Sequence, residues 1–367
     1  MNDAAVKQAF FSLLRAGLWK TVPDSSFDLD EEAWDRLFDM ARAQTVEALV
    51  YDGILLLPPD RFPPKPLLLK WTVIVDRIEK RNARMNQCIE ELNACFTAEG
   101  VSPLLLKGQG VAACYEEPAH RLCGDVDLYF RNKEAYAKAL KSVEKRNIKV
   151  SIGHDMSAEY SWKQIPVEHH NHLVDIHNPF AAGFLKELEQ QEEGSKIMMP
   201  FGKEQVALPS PLLTHLSVNS HILKHSLSFG IGLRQLCDSA RICYTYREQV
   251  DGEALKAVYK RLGIYRWMTL LNQLLVDFLG TPQECLPFVS EQKQDANWMM
   301  EEILAAGNFG FADSRFGGDG ESASKKRKNS VRHLAHRFKL YVGYAPSEAC
   351  WFPIVQLCSR IRSVTTA

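Results

Sequence analysis

Arg121-Leu122-Cys123-Gly124-Asp125-Val126-Asp127-Leu128-Tyr129-Phe130 alternates acidic or polar with apolar side chains from Asp125 onward, the two-residue period of a β-strand. Side chains two apart share a face. Asp125 and Asp127 therefore present paired carboxylates, while Val126, Leu128 and Phe130 anchor the other face in a core. Two adjacent carboxylates repel unless something positive stands between them. A hard divalent cation such as Mg²⁺, held by one or two carboxylates and completed by substrate phosphate oxygens, meets that need. A solvent-exposed strand end would show the same D-x-D pattern, so the flanks have to decide.

Upstream, Leu104-Leu105-Leu106-Lys107-Gly108-Gln109-Gly110 is an apolar strand running into a lysine, two glycines and a helical stretch. That order suits a tight turn whose free backbone N–H groups face a phosphate, although the glycines could serve the turn alone. Downstream, His172-Leu173-Val174-Asp175-Ile176-His177 reads as a second strand, able to stand beside the first and add Asp175 as a third carboxylate. The histidines raise a zinc alternative: His169, His170, His172 and His177, with His154 and Asp155 nearby. On a strand, His170 and His172 share one face and His169, Asp175 and His177 the other, which leaves no compact set of three. Further on, Arg234, Asp238 and Arg241 fall on one helical face. They form either an i,i+4 ion pair or the inner surface of a helix that closes over the site. His221 and His225 read as packing residues.

Around this centre the chain divides by texture. Residues 6–19, 31–57 and 65–99 read as helices. In the third, Ile74, Ile78, Met85, Cys88, Ile89, Leu92 and Phe96 recur at helical spacing. Short strand-like runs follow at 101–106, 126–130, 148–152 and 169–176, separated by helix-forming stretches at 110–115 and 133–145. From Pro211 the pattern is helical to the end. The fold class is α+β: a small mixed sheet over 100–208, flanked by an N-terminal helical region (1–99) and a C-terminal helical domain (209–367). The glycine-rich stretch near 308–329 reads as a mobile loop, and its Lys325-Lys326-Arg327-Lys328 as a solvated charge cluster.

The 367 residues carry 44 Lys and Arg against 45 Asp and Glu, which argues against a protein dependent on a broad basic surface for a polynucleotide partner. No apolar run reaches the ~18 residues a membrane span requires; the best, at 48–57 and 268–279, each contain an aspartate. The N-terminal apolar stretch is interrupted by Arg15 and reads as an amphipathic helix of a cytoplasmic protein. Nine scattered cysteines without a C-x-x-C pair point to buried free thiols.

Lys107-Gly108, Arg121, Gly124-Asp125-Val126-Asp127-Leu128 and Val174-Asp175-Ile176-His177 together resemble the motifs of the uncharacterised nucleotidyltransferases of the polymerase-beta-like superfamily. Gly232-Leu233-Arg234-Gln235-Leu236-Cys237-Asp238 is similar to the Gly-Leu-Arg-x-Leu-x-Asp helix that follows their catalytic domain, so the resemblance covers roughly 68–279. In the wider superfamily the turn is Gly-Ser or Gly-Gly, with the acids about ten residues on. Here it is Gly108-Gln109, with seventeen residues to Asp125.

The resemblance implies an enzyme that moves an NMP from an NTP such as ATP to an acceptor hydroxyl. Asp125 and Asp127 would hold two Mg²⁺ ions (Mn²⁺ could serve), and Asp175 would complete the second site. Lys107, Gly108, Gln109, Arg121 and Gly124 would bind nucleotide, with Lys107 equally able to brace the turn and Arg121 equally able to pair with the acids. His177, Arg234 and Asp238 are candidate substrate contacts. A small molecule, sugar or protein acceptor is favoured over a long nucleic acid. The rivals are a non-catalytic nucleotide-binding or scaffold protein of the same fold, and a zinc hydrolase built on the histidine-rich strand.

Overall fold

The computed structural model describes residues 3–24, 27–153, 157–290, 293–310, 313, 315 and 323–365. His154, Asp155 and residues 311, 312, 314 and 316–322 of the expected 308–329 loop lie outside the described residues, while 323–329, with Lys325 to Lys328, open a helix instead of continuing the loop. The helices are α1 (Asp3–Trp19), α2 (Glu31–Ala43), α3 (Glu47–Ile54), α4 (Lys65–Ala98), α5 (Lys107–Ala112), α6 (Lys133–Glu144), α7 (Ala182–Gln191), α8 (Pro211–Leu227), α9 (Leu233–Tyr246), α10 (Gly252–Arg261), α11 (Tyr265–Leu279), α12 (Asn297–Ala306), α13 (Ala323–Tyr341) and α14 (Pro346–Thr365). The strands are β1 (Leu104–Leu105), β2 (Val126–Tyr129), β3 (Ser151–Ile152), β4 (Ala158–Trp162), β5 (Ile165–His170), β6 (Ile197–Phe201) and β7 (Glu204–Leu208). No helix among the described residues is long and apolar enough to cross a membrane.

The strands form one mixed sheet in the order β3-β4-β5-β2-β1-β7-β6. The α+β class expected from the sequence is what the chain adopts, with a sheet larger than foreseen. At its centre β2 runs antiparallel to β1 and parallel to β5, pairing Asp127 with Glu168 and Tyr129 with His170. Alternation along β2 then separates two environments. Val126, Leu128 and Phe130 enter a core with Phe96, Val143 and Val167, under the C-terminal half of α4 and α6. Tyr129 and Leu104 join the main core instead, where the N-terminal and C-terminal helices meet.

That main core ties the N-terminal helices to the helices that follow the sheet. Phe11 of α1 lies against Phe278 of α11, and the Trp19 indole donates to the Leu279 carbonyl at 2.6 Å. Helices α1 and α3 approach so closely that a Cβ on Gly17 or Gly53 would strike the facing backbone, so both positions require glycine.

Three local expectations change. The helix read over 31–57 breaks after Ala43, where Thr45 adopts φ 54°. The hairpin β6–β7 was not foreseen. The strand read over 169–176 instead spans Ile165–His170, following a two-residue turn at Lys163-Gln164 whose φ angles of 48° and 70° no Asn-Gly signal announces. Residues 171–178 are irregular, so Asp175 does not sit on a strand beside β2.

Candidate active site

The turn after β1 sets one edge of the site. Lys107 and Gly108 both have positive φ (29° and 44°), a conformation that favours glycine, and a Cβ on Gly108 would sit only 3.0 Å from Cys123 Sγ in the segment leading to β2. Gln109 turns away from the site: its amide nitrogen donates to Asn82 O (3.2 Å) and Asn86 Oδ1 (2.7 Å), bracing α5 against α4.

The segment leading to Asp125 is held by its carbonyls. Asn82 donates to Ala119 and Arg121, Arg81 to Cys123 and Gly124, and Arg234 to Leu122. Arg121 turns inward and binds Asp238 of α9 through two hydrogen bonds, Nε–Oδ1 at 3.0 Å and Nη2–Oδ2 at 2.5 Å; the Tyr115 hydroxyl donates to the same carboxylate at 2.7 Å. Asp238 therefore pairs with Arg121, and Arg234 does not claim it. Removing one partner of a buried pair strands the other charge, so Arg121→Met should cost about 3–5 kcal/mol in urea unfolding. A loss below ~1 kcal/mol would show that the pair does not tie α9 to the sheet.

With those supports, Asp125, Asp127, Glu168 and His170 line a cavity of ≈ 530 Å³ closed on the far side by Val218, His221, Lys224 and His225 of α8 and Arg234 of α9. Donor atoms of Asp127, Glu168 and His170 lie within 4.8 Å of one another. His170 Nε2 is 2.6 Å from Asp127 Oδ1, and because an ionised carboxylate only accepts, Nε2 carries the proton. Lys107 Nζ stands 3.3 Å from the same oxygen and 3.3 Å from His221 Nδ1.

The electrostatics follow from this packing. The Asp127 carboxylate, and then burial, push the Asp125 carboxyl up to about 6 despite Lys107. Burial alone would raise Asp127, but Lys107 and the His170 hydrogen bond outweigh it and hold Asp127 below the usual carboxylate range. Burial and then Lys107 push His221 down to about 4, opposed by Asp175.

The structure gathers Lys107, Gly108, Arg121, Gly124, Asp125, Asp127, Arg234 and Asp238 around this cavity. Asp175 is not among its lining residues. It lies behind the wall, its oxygens 2.9 Å from His221 Nδ1, 3.0 Å from Lys224 Nζ and 3.2 Å from His172 Nε2. His177 is farther off, its backbone N–H and Nδ1 both on Glu348 of α14. Glu168 and Lys224 have no reading in the sequence, His170 enters only the zinc alternative, and His221 is read as a packing residue. A signal for Glu168 and His170 lies in Ile165-Pro166-Val167-Glu168-His169-His170, where Val167 and His169 share one face of a strand and Glu168 and His170 the other. His169, on the opposite face, is buried against Phe130 and Tyr160, and burial pushes it down to about 3. Arg241 is buried on the carbonyls of Cys114 and Leu18, away from the cavity.

A paired-acid strand beside a Lys-Gly turn, closed by a helix bearing Arg234 and Asp238, is the arrangement expected of a nucleotidyltransferase. The model of an uncharacterised nucleotidyltransferase family matches residues 30–280, and the chain belongs to that family. No curated protein and no solved structure matches it.

Proposed function

We propose that this protein transfers an NMP from a nucleoside triphosphate, ATP among those to be tested, to an acceptor hydroxyl in a reaction that needs Mg²⁺ or Mn²⁺. The observation that carries the reading is the polarity of the cavity. Asp125, Asp127 and Glu168 line one wall, and Lys107, Lys224 and Arg234 face them from the turn and from α8 and α9.

The residues fit a hard divalent cation. The donors are mainly carboxylate oxygens, and Asp125 is raised because its charge beside Asp127 lacks a sufficient counter-ion. His170 already donates to Asp127 and suits an orienting role. The bound ions would neutralise triphosphate charge and lower the pKa of the attacking hydroxyl. Asp125, Asp127 and Glu168 would hold them, with Glu168 in the place first assigned to Asp175. The chain's own part is positioning and electrostatics: Gly108 lets the triphosphate approach the turn, and Lys107, Arg234 and Lys224 meet the charge on the leaving pyrophosphate. Arg121 and Asp238 fix the wall from which Arg234 projects.

The non-catalytic rival loses ground because every acid of the site is present. The zinc reading loses its histidine set: His169 faces the core, His170 bonds Asp127, His172 bonds Asp175, and His177 bonds Glu348. The test is a melt of the full chain with each NTP and Mg²⁺. A rise for at least one nucleotide, absent without metal, is expected; no rise with any nucleotide would sink the reading, and a rise with Zn²⁺ alone would favour the hydrolase.

The pH dependence has a definite sign. Asp125 is raised from 3.8 to about 6, so its proton competes with metal below that value. Stabilisation by Mg²⁺ should be full at pH 7.5 and fade as pH falls through about 6. Melts with and without Mg²⁺ from pH 5 to 8 would show it, and a flat difference would exclude Asp125 as a ligand.

A further inference from the structure

Beyond the catalytic cavity, on the same face of the sheet, lies a second one of ≈ 700 Å³. We propose that it takes the acceptor, an uncharged polyhydroxylated molecule of the saccharide or polyol class, and that α14 is the element that selects it. The proposal rests on the nucleotidyl-transfer reading and deepens it.

Position is the first support. Tyr129, at the end of β2, lines the second cavity and follows Asp127 by two residues, which puts it on the same face roughly 6.6 Å farther along the strand. Asn171, next to His170 of β5, lines it too, and Lys224 borders both cavities. A molecule held there needs to extend a hydroxyl by only a residue or two of strand to reach the acids.

The second support is what closes it. Val355 and Gln356 of α14 form one wall. The Glu348 carboxylate of the same helix, 1% exposed, accepts from the backbone N–H groups of His177 and Asn178 at 2.7 and 3.0 Å and so ties the 171–178 loop to α14. The family match ends at residue 280. The catalytic acids thus belong to the part this chain shares with its family, and the second cavity is finished by a helix outside it.

The lining chemistry gives the class. Its charges are largely answered from within: Asp175 by Lys224 and His172, Glu189 by the Tyr129 hydroxyl at 2.6 Å, and Arg131 by Glu193. A strongly charged ligand would have to break these pairs. Beside the single lysine Lys186 and the apolar Val174, Ile176 and Leu185, what remains is amide and imidazole surface from Asn171, Asn178, Gln190 and His177. Such groups combine donors and acceptors, as hydroxyls do. A polynucleotide would need unpaired cations along its backbone.

The test uses the full chain, Mg²⁺ and an equimolar mixture of α-³²P-labelled NTPs. One arm offers methyl glycosides of glucose, galactose, mannose and N-acetylglucosamine together with myo-inositol; the other offers a Ser/Thr/Tyr peptide and a tRNA. Label on the glycoside or inositol arm is expected. Val355→Trp, which fills the wall from a position 36% exposed, should cut that labelling on the order of 10²-fold while the nucleotide-induced thermal shift stays as in the parent chain. Leu357→Trp, the same enlargement on the same helix at a position 61% exposed and outside the cavity lining, should stay within about threefold on the same scale. Labelling of peptide or tRNA alone, no labelling of any saccharide or polyol, or a Val355→Trp chain that labels normally would each overturn the proposal with nucleotide binding intact. A parent chain with no nucleotide shift would overturn it together with the reading beneath it.

Discussion

Asp127→Asn should remove nearly all Mg²⁺-dependent nucleotide binding and lower transfer by ~10³-fold or more, the largest loss expected of any single substitution here. One lost electrostatic contact at a developing charge costs about 10²–10³. Asp127 does more than make one contact: it pairs with Glu168 across the central strands, raises Asp125 and anchors Lys107. The asparagine leaves Lys107 buried without its carboxylate, at a cost of about 3–5 kcal/mol, so binding has to be measured below the lowered melting temperature. His170 can still donate to the amide oxygen. A second signature separates this substitution from general damage, because Asp125 loses the neighbour that raises it and should titrate nearer its ordinary value. Wild-type nucleotide binding by Asp127→Asn would exclude the metal site as drawn.

The same measurements rank the third acid. Glu168→Gln should lower transfer by ~10²–10³-fold and weaken metal binding, since its oxygen belongs to the Asp127 cluster. Asp175→Asn should leave metal binding within about threefold while disturbing His221 and Lys224, a defect of positioning that can still slow transfer. The reverse ranking would restore Asp175 as the ligand.

How this exchange arose says what a single sequence can convey. The D-x-D strand was legible because alternation and the neighbouring Lys-Gly turn agree, and the long helix α4 because its apolar spacing is regular. Strand β5 was misplaced by a few residues, and in a sheet a shift changes which acid faces the site. Its turn, Lys163-Gln164, carries positive φ on residues with no preference for it, so nothing local marked where the strand began. Arg121 and Asp238 are 117 residues apart, and no pattern in either segment announces the other. Glu348 acts at a distance in the same way, from a helix whose sequence suggested no tie to the site.

Lys107→Met should bind Mg²⁺ at least tenfold more tightly than the parent chain and yet transfer on the order of 10²-fold more slowly. His221 Nδ1 is overcommitted. Lys107 only donates, so its 3.3 Å approach to His221 Nδ1 requires a bare lone pair there. Asp175 Oδ2, 2.9 Å from the same Nδ1, only accepts and requires a proton. His221 is pushed down to about 4 and so is neutral at pH 7, with one proton to place. With the proton on Nδ1, His221 serves Asp175 and Lys107 depends on Asp127. With the proton on Nε2, His221 can share Lys107, and Asp175 keeps Lys224 and His172. Any divalent cation at Asp127 has to compete with the Lys107 ammonium, which favours the second arrangement and frees the lysine for phosphate. Methionine removes the competitor and the phosphate contact together, so affinity for metal and rate of transfer move in opposite directions. Lys107→Arg keeps the charge and should not tighten metal binding. Calorimetry with Mg²⁺ or Mn²⁺ alone, without nucleotide, separates the two effects; unchanged or weaker binding by Lys107→Met would show that Lys107 braces the turn and does not guard the metal site.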